Sequence, residues 1–450
     1  MLVLLFILLL VGLVVSYLMS YKNVLSAWVI GHIMYLISVI ILLFNYNLLK
    51  CDIQLDTLLI IMGSLVFIGA GELFVKNIYF RREKYYYPSE EELKPIAISK
   101  KYYVVSLLLM VILCIYDYYS FNYVGSYLGG SDFSSKYLLI RTVEVSASNG
   151  SDQDIPNVPL ALPMAYLEFF IRILAYFYIY VYLYHKIFKL KNPYRNNWKN
   201  IIPIFLYLFI CLFTLSRSIF INLIETFGII YFIMLKQNKR QWNSNSSTRK
   251  IAKIGSGLLV GFMLIFSFVG TFKDSDVTED VNGTLISYSA AGIYGLDEYM
   301  KGKYSKDSDY FGQNTLSNIY MFFNKFGFNF ESPRYHNEPY VWGKHGEISN
   351  IASSPFYLLI DFPIPVVLLI YFIMGGIYSL MMNSIKFGKF KVKDFDGYVI
   401  TAIIYYSIFM VAITDDFHHN ISSVFVYYII CIYIIKYLFI TKPKKQVQIV

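Results

Sequence analysis

The sequence predicts an all-α, polytopic integral membrane protein with about eleven transmembrane helices and one large outer loop. Three observations predict it. Of the 450 residues, 57% are hydrophobic and only 15% charged, whereas a soluble domain carries about 25% charged residues. Apolar runs recur along the chain at lengths near the roughly 20 residues that cross a bilayer as a helix. Basic residues gather in alternate connections, as the positive-inside tendency requires.

The runs are 2–20, 25–44, 56–75, 102–120, 163–184, 201–216, 219–235, 253–272, 356–382, 397–414 and 421–440. The first lacks a basic leader and a small-residue cleavage site, so it reads as a helix rather than a removable signal. Connection 76–101 holds Lys76, Arg81, Arg82, Lys84, Lys94, Lys100 and Lys101. Connection 185–200 holds Lys186, Lys189, Lys191, Arg195 and Lys199, and 236–253 holds Lys236, Lys239, Arg240, Arg249, Lys250 and Lys253. Connection 384–396 holds Lys386, Lys389, Lys391 and Lys393, and the tail holds Lys442, Lys444 and Lys445. If every run crosses once, all of these lie on one side, with the C-terminus inside and the N-terminus outside.

The chain reads as a single membrane domain over 1–450 with two long outer segments. The first, 121–162, is rich in Gly, Ser and acid, with Lys136 and Arg141 its basic residues. The second, 273–355, carries more acid than base. Loops of that length usually carry function. Within the second, TLSNIYMFFNKF at 315–326 has apolar residues at helical spacing and reads as an amphipathic helix at the membrane surface. Cys51, Cys114, Cys211 and Cys431 lie in or beside apolar runs, so neither a structural disulfide nor a metal spacing is expected. No GxGxxG or P-loop occurs, so no nucleotide site suggests itself. The basic and tyrosine-rich 81–101 segment reads as a solvated inner connection rather than a nucleic-acid surface.

An ionisable side chain in the hydrocarbon region costs roughly 2.5–3.5 kcal/mol on insertion scales, which makes each one a functional candidate. Arg217 in TLSRSIF stands at the tip of a hairpin formed by 201–235. With Ser216 and Ser218 it offers a guanidinium and hydroxyls that fit a diphosphate; the other reading is an interfacial arginine that snorkels. Glu168 and Arg172 share a helix face four residues apart. They read as a structural ion pair, or as one that lends Arg172 to the same anionic site. Asp361 in LLIDFPIP stands near a helix start, as a cap or as a ligand for a sugar hydroxyl or an arginine. TDDFHHN at 414–420 groups Asp415, Asp416, His418 and His419, read as a polar turn or as a metal-like cluster. Asp117 and Glu72 read as ordinary acids at helix ends.

On these features the chain resembles the O-antigen polymerase family, the Wzy-type polymerases of oligosaccharide repeat units. The resemblance covers the topology over the full length: many helices, one large outer loop in the second half, and an Arg after a Ser at an outer hairpin. Its tightest local part is 350–376, NIASSPFYLLIDFPIPVVLLIYFIMGG. This looks like the family's Asn, Pro and Asp-Phe-Gly ahead of a helix ending in small residues, with Pro363 in place of that Gly.

The resemblance implies a metal-independent glycosyltransferase without a cofactor, in the bacterial inner (plasma) membrane. Its substrates would be polyprenyl-diphosphate-linked oligosaccharides, joined on the outer face by transfer of the growing chain from its lipid diphosphate to a hydroxyl of a new unit. Further implied partners are a chain-length regulator, a flippase and membrane lipids, with no nucleic acid. Such chemistry needs fixed cations for the departing diphosphate, for which Arg217, Arg172 and Arg334 are candidates. It also needs a proton acceptor, for which His336 leads, followed by Asp361 and Glu338. Tyr335, Tyr340 and Trp342 could stack on sugars or anchor the loop at the interface. Two rival classes stand beside this: an O-antigen ligase, and a flippase or transporter of the lipid-linked oligosaccharide. A flippase would usually show two similar halves, which this sequence lacks.

Overall fold

The computed structural model describes residues 1–46, 52–133, 135–137, 139–140, 156, 158–190, 197–213, 217–242, 281–302, 308–324, 326–330, 340–342, 347–349, 352–419 and 421–441. Its order is α1 (Leu2–Met19), α2 (Ala27–Phe44), α3 (Leu55–Tyr79), α4 (Lys100–Tyr127), α5 (Ala161–Ile187), α6 (Ile201–Ile210), α7 (Arg217–Asn238) and α8 (Val281–Met300). There follow α9 (Ser317–Asn324), β1 (Tyr340–Trp342), β2 (Glu347–Ser349), α10 (Ser354–Asp361), α11 (Ile364–Lys386), α12 (Phe395–Met410), α13 (Asp416–His419) and α14 (Ser423–Lys436). Among the described residues 8 helices are long and apolar enough to cross a membrane, and α6 and α12 are shorter apolar helices. The protein is an all-α polytopic membrane protein; run 253–272 lies outside the described residues.

Helix starts follow local chemistry: the Ser99 hydroxyl accepts from Tyr102 N at 3.3 Å and the Ser422 hydroxyl from Phe425 N at 3.3 Å. Large apolar side chains left exposed, such as Leu4, Val11, Leu108, Ile115, Leu369, Ile373 and Val426, suit a lipid surface. By contrast α5 and α12 are buried on nearly every side. Their tyrosines tolerate burial because the hydroxyls reach partners. Tyr184 donates to the Lys94 carbonyl at 3.0 Å, Tyr398 to Gln237 Oε1 at 2.6 Å, and Tyr180 to the Val392 carbonyl.

Helices α3 and α11 form the most extensive pair, and glycines set their separation. Gly71 abuts the Phe372 carbonyl and Gly375 the Ile68 carbonyl, so a Cβ at either would strike the facing backbone. Gly375→Val is expected to destabilise the protein by about 1–3 kcal/mol or more through overpacking. A Cβ at Gly376 would meet a Val75 side-chain atom at 3.2 Å and the Gly71 carbonyl oxygen only at 4.0 Å, so Gly376→Ala should be far milder. Thermal melting in detergent checks both, and equal melting of the two variants would contradict this packing. Glu72, read from sequence as an ordinary end acid, instead binds α2: it accepts from Ser26 Oγ at 2.5 Å and Ala27 N at 2.9 Å.

The second half of the chain departs from the sequence reading in two places. Run 356–382 is two helices, because Phe362 is extended (φ −140, ψ 146) ahead of Pro363. Asp361 therefore ends α10 rather than starting a helix. The segment 273–355 also carries a packed helix that the sequence reading did not mark. Its helix α8 packs into the bundle with Ala291, Ile293 and Leu296 buried, and Gly292 lies against the Ala412 carbonyl. Polar neighbours at 297–303 hide that stripe from a hydropathy reading. Within 315–326 a helix is present as the shorter α9, and β1 pairs antiparallel with β2.

The basic connections meet at one end of the bundle. Tyr86 N donates to the Lys386 carbonyl at 2.9 Å, Trp242 Nε1 to the Tyr86 carbonyl at 3.3 Å, and Lys391 pairs with Glu92 at 3.1 Å. Ile96 N donates to His185 Nε2 at 3.0 Å, and Lys436 pairs with Asp396 at 2.7 Å.

Candidate functional site

A cavity of about 470 Å³ lies toward the opposite end, a size typical of ligand pockets. Its wall is built from helical spacing. Phe169, Arg172 and Tyr176 follow one face of α5, Asn222 comes from α7, Asn318 from α9, and Ile403 and Tyr406 from α12. Asp416 of α13, Ser422, and Val424, Phe425 and Tyr428 of α14 complete it. Arg172 lies about 18 Å along α5 from Tyr184 at the basic end, by 1.5 Å per residue. The lining mixes aromatic faces with amides, a carboxylate, a hydroxyl and a guanidinium, which together can hold a ligand that is both polyhydroxylated and anionic.

Arg172 is the best-defined cation there. Its Nη1 donates to the Tyr428 hydroxyl at 2.8 Å and its Nη2 to Glu168 Oε1 at 3.1 Å. Its Nε is sealed without a partner among the described residues. Glu168 is the ion-pair partner that the four-residue spacing implies. The pair thus fixes the guanidinium while Arg172 stays on the cavity wall.

The acidic turn divides its work. Asp415 Oδ2 contacts His418 Nδ1 at 2.6 Å and its Oδ1 accepts from Ser354 Oγ at 3.2 Å; Ser354 in turn accepts from the Tyr371 hydroxyl at 2.9 Å. These groups tie the turn to α10 and α11, and Asp416 faces the cavity. Among the described residues no group of three or more His, Cys, Asp or Glu side chains could hold a metal ion.

Asp361, read as a cap or as a ligand for substrate, is engaged by groups of the protein itself. Its carboxylate accepts from Asn314 N at 3.1 Å, Asn314 Nδ2 at 3.0 Å and Thr315 N at 2.6 Å, and from the Ser308 and Thr315 hydroxyls. It does not line the cavity. It clamps the segment just ahead of α9, which carries Asn318 to the wall. Asp361→Ala is expected to release that segment, adding early proteolytic cleavage at 308–324 while the bundle still melts as a unit. A wild-type cleavage pattern would contradict the clamp.

Arg217 is the first residue of α7, five residues and about 7.5 Å of helix before Asn222; its side chain lies outside the described residues. Ser218 is exposed, and its carbonyl accepts from Asn222 Nδ2 at 3.1 Å. Ser216, Arg334, Tyr335, His336 and Glu338 lie outside the described residues, as do the side chains of Tyr340 and Trp342 in β1. The cavity therefore joins Arg172 to the helix that Arg217 begins, and the placement of the other loop candidates is not described.

The sequence reading missed Asn222, Asn318, Tyr176, Tyr406 and Glu225. Glu225 had a signal, being an acid inside the apolar run 219–235. Both its carboxylate oxygens are sealed without a partner among the described residues. It acts electrostatically on the cavity-lining Tyr176 and Tyr406. No protein-family model, curated protein or solved structure matches the chain.

Proposed function

We propose that the protein is a membrane glycosyltransferase that polymerises polyprenyl-diphosphate-linked oligosaccharide repeat units into an O-antigen or capsule-type polysaccharide. In this reading the basic end of the bundle is cytoplasmic, the cavity opens outward, and the membrane is a bacterial inner membrane. One observation carries it: a single cavity draws on the Arg172 face, the helix begun by Arg217, the α9 helix and the acidic turn. Of these, the Arg172 face and the Arg217 helix are stretches that a lipid-diphosphate chemistry singles out in the sequence, and the α9 helix and the acidic turn add polar groups beside them.

The roles follow from chemistry. Arg172, joined by Arg217, offsets the charge developing on the departing diphosphate. Asn222, Asn318 and Ser422 offer hydrogen bonds to sugar hydroxyls, and Phe169, Tyr406 and Phe425 offer ring faces. The acceptor hydroxyl attacks the anomeric carbon, the bond from that carbon to the diphosphate oxygen breaks, and the hydroxyl proton passes to a carboxylate or histidine. Asp416 lies on the wall for that task.

The experiment uses the full chain in vesicles with a purified polyprenyl-diphosphate repeat unit as sole substrate. Products forming a ladder of lipid-linked multimers support the reading. Substrate that crosses the bilayer without joining identifies a transporter instead. Transfer only to a separate lipid acceptor identifies a ligase.

A further inference from the structure

At the basic end, Lys236 of α7 and Lys386 of α11 converge around Trp242, and Lys76 of α3 stands 3.3 Å from the Tyr21 ring centroid, near enough to act on Lys386. Lys236 is 1% exposed, Lys386 2% and Trp242 0%. Lys236 Nζ donates to the Trp242 carbonyl at 3.2 Å. Lys386 Nζ stands 6.0 Å from the Trp242 ring centroid, 4.9 Å from that of Tyr85 and 5.8 Å from that of Phe387. Phe387 stacks on both Tyr85 and Phe80, and Phe80 closes α3 one turn beyond Lys76. Lys386 feels the repulsion of both Lys76 and Lys236.

Among the described residues none of the three lysines has an ion-pair partner. The carboxylate that acts on Lys76 and Lys386 is Glu72, and it is already engaged by Ser26 and Ala27. Desolvated cations without an anion are costly, and breaking such charges free of a partner costs several times what an exposed pair gains. An anion with several oxygens would offset that cost, and aromatic rings around Lys386 keep water away from it. Exposed Arg81, Arg82, Lys84 and Lys389 stand on the neighbouring segments and would draw an anion in. Exposed Phe74 and Ile78 on α3 flank Lys76 and give an acyl chain a surface to follow.

We infer that Lys76, Lys236 and Lys386 bind the phosphate diester of an anionic membrane lipid at the basic end of the bundle. This site is remote from the outer cavity and independent of the function proposed for it. A lipid headgroup and free phosphate share the chemistry, and the lipid is favoured because the apolar flank of α3 adjoins the cluster.

The test compares the full-length protein in nanodiscs of phosphatidylcholine alone, of phosphatidylcholine with phosphatidylglycerol, and of phosphatidylcholine with millimolar inorganic phosphate. Wild type should melt higher with phosphatidylglycerol and retain that lipid in native mass spectrometry. Lys236→Gln with Lys386→Gln should lose both effects, affinity falling roughly fivefold per lysine removed, whereas the paired Arg replacements should keep them. If inorganic phosphate alone reproduces the full shift, or the Gln variant retains phosphatidylglycerol as wild type does, the lipid site is refuted. Should the Gln variant fail to fold, a photoactivatable phosphatidylglycerol on wild type decides. Crosslinks to the peptides holding Tyr85, Trp242 or Phe387 support the site, and crosslinks confined to other peptides refute it.

Discussion

Arg172→Ala is expected, on the proposed polymerase activity, to lower polymer formation about a hundredfold or more at unchanged membrane levels. Removing one fixed donor from a developing negative charge costs about 10²–10³ in rate. The guanidinium is held by Tyr428 and Glu168, so it meets its ligand already oriented. Arg172→Lys keeps a charge without the planar fork and should recover only part of the rate. Glu168→Gln separates a substrate role from a packing role: it removes the partner's charge but leaves Arg172 on the cavity wall, and should cost far less than Arg172→Ala. The measurement is the rate of multimer formation in vesicles. A normal ladder from Arg172→Ala would show that this cation does not serve the substrate.

Asp297→Ala is expected to lower stability by about 2–3 kcal/mol, because the hydrogen bonds to a buried carboxylate are lost while the part-exposed Lys301 keeps Glu298. Asp297 is 0% exposed. It accepts from Gln54 N at 2.7 Å and Thr57 Oγ1 at 2.6 Å, and pairs with Lys301 at 2.5 Å. It therefore anchors the start of α3 to the end of α8. Burial alone would lower the Lys301 pKa, but Asp297 and Glu298 hold it above the ordinary lysine value. Asp297→Asn keeps an acceptor for the α3 start and should fall between wild type and Asp297→Ala. Thermal melting in detergent reads the series; an unchanged melt for Asp297→Ala would show that α8 is not tied down there.

The membrane character and most helices were legible because bilayer length and hydropathy leave strong marks. The runs containing α3, α5 and α11 announce themselves. The Glu168–Arg172 pair was legible too, since the spacing dictates the contact. Helix α8 was not, because Asp297, Glu298 and Lys301 look solvated in sequence while their pairing lets them enter the core. For Asp361 a structural role stood beside a substrate role in the sequence, and its partners, Ser308, Asn314 and Thr315, were not legible because they are distant along the chain. Asn222 and Asn318 carry no local signal; only tertiary packing brings two polar residues from α7 and α9 to one wall. The wide use of Tyr also concealed which hydroxyls matter, as the burial of Tyr180 and Tyr398 rests on partners far along the chain.

The most direct measurement is an electron cryo-microscopy map of the full chain bound to a non-hydrolysable polyprenyl-diphosphate oligosaccharide. Density for the diphosphate within hydrogen-bond reach of Arg172, with sugars running past Asn222 and Asn318 toward Asp416, is the expected result. A diphosphate bound elsewhere, with the cavity between α5, α7 and α14 closed by side chains, would contradict the proposed site.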